Sequence, residues 1–274
     1  MRINVLIENS RSKYLKSQHG LSFLIYCQNQ KILYDFGKNK SFISNSNKLG
    51  IDLNNIDLAV LSHHHVDHGG GINDFLNANK TCSVITTGDI NLKYYTKLMG
   101  FFKISIGLDI KKEFEQRIIY NKNNTMIGKN IYLITEISSQ GNSNVINNAL
   151  FMRDENILLE DKFEHENALV IDEDGFLTIF NSCSHKGVLN TIDAVKSYFP
   201  DRKIKNYIGG FHLYNPVSKK KQTDDYIEKL AVKLTETEIK FYTCHCTGEY
   251  SYNILKKIMS DNITYIKTGD VLEI

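Results

Sequence analysis

Four of the nine histidines in this 274-residue sequence fall within six consecutive positions. The segment reads His63-His64-His65-Val66-Asp67-His68, and Gly69-Gly70-Gly71 follow it. Neutral imidazole and carboxylate are the ligands that a borderline cation such as zinc prefers. In an extended backbone, residues two apart share a face, so His63 and His65 can converge on one ion. A tight turn then carries Asp67 and His68 back toward the same space, with the glycines permitting it. The run before them, Leu58-Ala59-Val60-Leu61-Ser62, reads as a buried strand. That strand and the ordered spacing separate the segment from a solvated histidine-rich loop. Three more histidines also follow apolar, strand-like runs: His185 after Phe176–Asn181, His212 after Lys205–Gly209, and His245 after Lys240–Cys244. Cys244 and Cys246 flank His245 and offer a competing thiolate site. In an extended segment, alternation points both away from the histidine, which makes them packed thiols.

Such side chains need rigid elements beneath them. Short runs rich in Val, Ile, Leu and Tyr predict strands over Ile3–Ile7, Leu21–Cys27, Lys31–Asp35, Leu58–Ser62, Ser83–Thr86 and Ile131–Thr135. Ala168–Asp172, Phe176–Asn181, Lys205–Gly209, Lys240–Cys244 and Thr264–Lys267 follow, and Gln28-Asn29-Gln30 reads as a hairpin turn. Helices are expected over Phe42–Leu49, Ile72–Asn77, Leu92–Met99, Val188–Tyr198, Asp224–Thr235 and Tyr250–Met259. In Asp224–Thr235, Ile227, Leu230, Ala231 and Leu234 form a one-sided apolar stripe. The stretch from about 100 to 165 is the least patterned: either a lid or insertion over the site, or a set of ordinary connections.

Composition narrows the class. An apolar share of 42% and a charged share of 23% suit a globular chain with a sizeable core. With 33 basic and 31 acidic residues the net charge is only +2, so bulk charge implies neither nucleic acid nor a membrane surface. The first residues carry too short an apolar run for a signal peptide, and no stretch is long enough for a membrane span. A cytoplasmic location is expected. Five scattered cysteines make no disulfide framework for a chain of this size, so reduced thiols are expected.

The histidine segment resembles the HxHxDH signature of the metallo-β-lactamase superfamily. More narrowly, the chain is similar to the 7,8-dihydropterin-6-yl-methyl-4-(β-D-ribofuranosyl)aminobenzene-5′-phosphate synthase-like group. His19-Gly20-Leu21-Ser22, Leu33-Tyr34-Asp35-Phe36-Gly37, Glu166-Asn167-Ala168-Leu169 and Cys183-Ser184-His185-Lys186-Gly187 stand in that group's order. Gly209-Gly210-Phe211-His212-Leu213 and Cys244-His245-Cys246-Thr247-Gly248 complete the set, which runs from about residue 3 to 270. The resemblance implies an α/β fold, a four-layered αβ/βα sandwich, as one domain over 1–274 with its site along one edge. It implies one metal on His63, His65 and His185 and another on Asp67, His68 and His245. One or two divalent ions are expected, zinc first, with manganese or iron as alternatives.

The implied activity is hydrolysis of a small phosphorylated ester or phosphodiester by a metal-bound hydroxide. Asp67 would orient the hydroxide, and His212 would either steady the developing oxyanion, the favoured role, or bind metal directly. A non-catalytic metal-dependent binding module and a redox di-iron protein are the rival readings. His19 is left with two roles, a structural hydrogen bond or contact with substrate. Asp35 and Glu8 are candidates to accept from metal-bound imidazoles. Two departures from the group stand out. His64 replaces a common glycine and is expected to be exposed. No acidic residue between His185 and His245 follows an apolar strand, so the usual bridging aspartate is missing and His212 holds its place.

Overall fold

The strand Ser22–Cys27 shows why the molecule is layered: Phe23 and Ile25 enter one buried cluster while Leu24 enters another. A strand covered on both faces reads as a nearly continuous apolar run, as several of these do. The structure, a computed structural model, describes residues 1–98, 102–141, 144–154 and 157–274.

One seven-stranded sheet has the order Val271–Glu273, Arg2–Ile7, Ser22–Cys27, Gln30–Tyr34, Leu58–Val60, Val84–Thr86, Ile118–Tyr120. The other runs Ile263–Tyr265, Lys240–Thr243, Lys203–Gly209, Phe176–Phe180, Ala168–Glu173, Ile131–Ile134, Thr125–Gly128. Between them lies a cluster built from Ile3, Phe23, Ile25, Tyr34 and Val60 on one side and Leu133, Leu169, Ile171, Phe180 and Ile208 on the other. The helices Ser41–Lys48 and Ile72–Ala78 cover the outer face of the first sheet through Phe42, Ile72 and Phe75. Val188–Tyr198, Asp224–Thr235 and Glu249–Met259 cover the second. The fold is therefore the expected four-layered αβ/βα sandwich, and the stripe Ile227, Leu230, Ala231, Leu234 is its buried helix face.

Strand direction places the site. Gln30–Tyr34 pairs in parallel with Leu58–Val60, and Phe176–Phe180, Lys203–Gly209 and Lys240–Thr243 pair in parallel with one another. Their C-terminal ends carry Asp35, His63, His185, His212 and His245 to one edge.

One expected helix is a strand. Residues Lys93–Leu98 of the stretch Leu92–Met99 pair with Leu150–Asp154 on one side and Phe102–Ser105 on the other; Met99 lies outside the described residues. Tyr94 and Thr96 are buried while Lys93 and Asn91 are exposed, and aromatic and β-branched residues fit a half-buried pleated surface. With Ile157–Glu160, these strands make a third, four-stranded sheet. The rest of the 100–165 stretch supplies outer strands to both large sheets.

Candidate metal centre

After the strand Leu58–Val60, the histidine segment leaves the first sheet and closes with one helical turn, Val66–Gly69. The glycines behind it serve close approach rather than an unusual φ. A Cβ on Gly70 would stand 2.3 Å from the Lys38 carbonyl oxygen, and one on Gly71 2.3 Å from that of Phe36. The turn can therefore lie directly on the backbone that follows Asp35.

Asp35 is the hub beneath the site. It is fully buried, and its Oδ2 accepts from Ser62 Oγ at 2.8 Å, Ser182 Oγ at 2.5 Å and His68 Nδ1 at 2.7 Å. These bonds fix tautomers. His68 gives its Nδ1 proton to Asp35, so its Nε2 turns a lone pair outward. The Ser62 hydroxyl spends its proton on Asp35 and so accepts from His63 Nδ1 at 2.8 Å, which leaves His63 Nε2 bare as well. His245 donates from Nδ1 to Asn9 Oδ1 at 2.9 Å with the same result. The acceptor for His245 is thus Asn9 and not Glu8. Glu8 instead takes the His245 backbone N–H at 2.9 Å and the Tyr265 hydroxyl at 3.0 Å, because its carboxylate reaches past the ring to the chain behind it.

The ring nitrogens gather in two places. His63 Nε2 lies 3.3 Å from His185 Nε2, with the His65 ring centroid 4.7 Å from that of His63 and 4.9 Å from that of His185. His68 Nε2 lies 3.1 Å from His245 Nε2, and Asp67 Oδ2 stands 3.7 and 3.3 Å from those two nitrogens. Burial, with the neighbouring imidazoles, holds His63 and His185 well below the usual histidine range. Burial also takes His245 and His212 down to about 3. At neutral pH these rings are in the neutral form that binds metal. Burial pulls on His68 too, but Asp67 and Asp35 overcome it and raise that group. Two carboxylates beside it demand positive charge, which a proton or a metal cation can meet.

His212 reaches the same space from beyond Lys203–Gly209. Its ring centroid is 4.0 Å from that of His185, it is 5% exposed, and neither ring nitrogen has a hydrogen-bond partner among the described residues. His19 borders the cleft on the other side, stacked on His245 at 4.8 Å and bonded to Asp67 Oδ2 at 3.1 Å. Asp35, His212 and His245 all have positive φ (62°, 48° and 52°), a conformation side chains with a Cβ seldom take. Such strain gathers at functional sites.

Several expectations change. His64 is buried rather than exposed: its ring stacks on His165 at 5.0 Å and its Nε2 bonds to Thr86 Oγ1 at 3.0 Å. Its surroundings are a packed wall containing His165 and Tyr94, not solvent. Cys244 and Cys246 are both buried, yet the segment is not extended: His245–Thr247 is a single 3-10 turn, and Cys246 borders the cleft.

Sequence reasoning missed Asp161 and His165. His165 accepts the His64 backbone N–H on Nδ1 at 3.0 Å, so its Nε2 proton goes to Asp161 Oδ2 at 3.1 Å. Both nitrogens are engaged, which makes His165 a support for Asp161 rather than a free ligand. The same Asp161 oxygen lies 3.8 Å from His65 Nε2. The available signal was the ninth histidine itself, placed directly before Glu166-Asn167. Those two clamp the ligand loops together. Glu166 accepts the backbone N–H groups of His185 and Lys186 at 2.7 and 2.8 Å, and Asn167 donates to Leu61 O at 2.9 Å.

Comparison with known proteins bears on the fold. The family model described as the metallo-beta-lactamase superfamily matches residues 18–124. A protein of Methanocaldococcus jannaschii named 7,8-dihydropterin-6-methyl-4-(beta-D-ribofuranosyl)-aminobenzene-5′-phosphate synthase is 25% identical over 271 residues, covering 94% of this chain and 90% of its own. An uncharacterized protein of the same organism is also 25% identical, over 99% of this chain and all of its own. The crystal structure of Tm1679, described as a metal-dependent hydrolase of the beta-lactamase superfamily, superposes with a TM-score of 0.83 at 28% identity. That match covers 100% of this chain and 99% of Tm1679. Over residues 18–124 the chain thus resembles the metallo-β-lactamase superfamily, and over its whole length it shares the fold of Tm1679.

Proposed function

We propose that this chain is a metal-dependent hydrolase of a small phosphorylated ester or phosphodiester. Superfamily members are enzymes, commonly metal-dependent hydrolases, and the fold generally binds divalent metals. One observation carries the reading: the facing ring nitrogens are 3.3 Å and 3.1 Å apart. Two nitrogens each about 2.05 Å from one tetrahedral ion stand about 3.3 Å from each other. His63, His65 and His185 would hold one cation, and Asp67, His68 and His245 a second, with zinc the first choice and manganese or iron the alternatives. Such ions supply Lewis acidity and a water acidic enough to attack at neutral pH.

The protein's own groups do the positioning. Asp67 Oδ2 faces the cleft among His19, His68 and His245, where it can orient an attacking water and receive its proton. His212, a neutral ring with an unspent N–H, would donate to the oxygen on which charge develops. A phosphorylated substrate is supported by the adjoining pocket, which shares Tyr214 and His245 with the cleft and contains Arg11 and Lys267 beside a single carboxylate, Glu249. The name of the Methanocaldococcus relative, a ribofuranosyl 5′-phosphate synthase, points the same way. Elemental analysis and a panel of phosphomonoesters and phosphodiesters test the reading. Hydrolysis should vanish on chelation and return with zinc or manganese; full turnover by metal-free protein would refute it.

A further inference from the structure

Among the described residues, Cys183 is common to three groups of prospective ligands: one with His63 and His185, one with His68 and His245, and one with His212 and Cys246. In each group all the ligand atoms lie within 4.8 Å of one another. Its Sγ is 3.2 Å from His68 Nε2, and the residue is buried. The sulfur is held from both sides of the chain. Ser182 Oγ donates to Asp35, while Ser184 donates from N to Asn181 Oδ1 at 3.0 Å and from Oγ to Gly210 O at 2.7 Å. A second observation points to the same spot. His212 is 95% buried, neither ring nitrogen has a partner among the described residues, and one of them lies within 4.8 Å of Cys183 Sγ.

Nearby carboxylates do not fill this position. Asp67 groups with His19 and His245, and Asp161 with His65 and His165; neither belongs to both imidazole clusters. We propose that Cys183 is the ligand shared by the two cations, a thiolate standing where related sites use a bridging aspartate. The inference rests on the metal centre of the proposed function and adds the group that joins its two halves. A thiolate brings the negative charge that His212 cannot, and a soft donor beside imidazoles favours zinc, cobalt(II) or iron over manganese. Cys246 is the competing sulfur, but it accepts from the His212 backbone N–H at 3.3 Å and lies against the Cys183 carbonyl.

The test is titration of the full-length, reduced protein with cobalt(II), read by sulfur-to-cobalt charge-transfer absorption. The band should grow through both equivalents, and X-ray absorption of the zinc form should show sulfur at about 2.3 Å. Cys183→Ser should lose the band, whereas a Cys244→Ser, Cys246→Ser double variant should keep it. Should Cys183→Ser fail to fold by circular dichroism, the double variant decides: retention supports Cys183 and loss overturns it. Two equivalents of cobalt bound to the wild type without the band would overturn the proposal and leave the metal centre standing. A band that saturates at the first equivalent would overturn the sharing. No cobalt bound at all would overturn the metal centre and the proposal together.

Discussion

At the scale of single residues, the chemistry depends on where each imidazole sends its second proton. Asp35, Ser62 and Asn9 collect those protons and so aim three Nε2 lone pairs at one space. Replacing Asp35 by Ala should leave Ser62, Ser182 and His68 without their acceptor. Metal affinity, measured by competition with a chromogenic chelator, should fall by about 10- to 100-fold, the scale for losing such a support. His212 sits differently, with no hydrogen-bond partner for its ring among the described residues. In His212→Ala, metal content should be unchanged while turnover on a phosphoester drops by about 100-fold or more, the usual cost of one oxyanion donor. A parallel fall in metal content would make it a ligand instead; unchanged activity would remove it from the site.

Individual elements decide who can approach. The four-stranded sheet made by Lys93–Leu98, Phe102–Ser105, Leu150–Asp154 and Ile157–Glu160 sends Thr96 and Leu150 to the wall of the cleft, with Ile106 just beyond its edge. We propose that it is the lid expected within residues 100–165, begun earlier in the chain than the sequence suggested. Leu150→Ala should then raise KM severalfold with metal content and kcat nearly unchanged, since Leu150 lines the cleft and has no side-chain atom that can bind a metal. A loss of kcat with KM unchanged would place the sheet in the chemistry rather than over it. The strand in place of the expected helix at Lys93–Leu98 has a physical cause. Tyr-Tyr-Thr is weakly decisive alone, and pairing on both sides settles it.

Over the whole molecule, the prospective ligands come from both halves of the sandwich. His63, His65, Asp67 and His68 follow a strand of the first sheet, and His185 and His245 follow strands of the second. Metal held by these residues would therefore tie the two sheets at their common edge and bind only the folded chain. At a thousandfold excess over Kd, such binding adds about 4 kcal/mol to stability. Scanning calorimetry should show a clearly lower Tm after chelation, recovered on adding zinc; an unchanged Tm would mean that the edge is not bridged by metal. Among the described residues no helix is long and apolar enough to cross a membrane, in line with the absence of such a run in the sequence.

The sequence by itself determined the layers and most of the site. The apolar run Leu21–Cys27 and the stripe of Asp224–Thr235 required covered sheets with helices outside, and the spacing His63, His65, Asp67, His68 pointed to a candidate cation site. These are local periodicities, written within a few residues of chain. Tertiary structure alone decided the contacts between segments far apart in sequence: Asn9 rather than Glu8 beneath His245, Asp161 beside His65, His64 buried against His165, and Cys183 between the two imidazole clusters. No spacing encodes such meetings. They arise because parallel strands from two sheets end at one edge, and positive φ at Asp35, His212 and His245 turns the chain there in directions that residue type does not reveal.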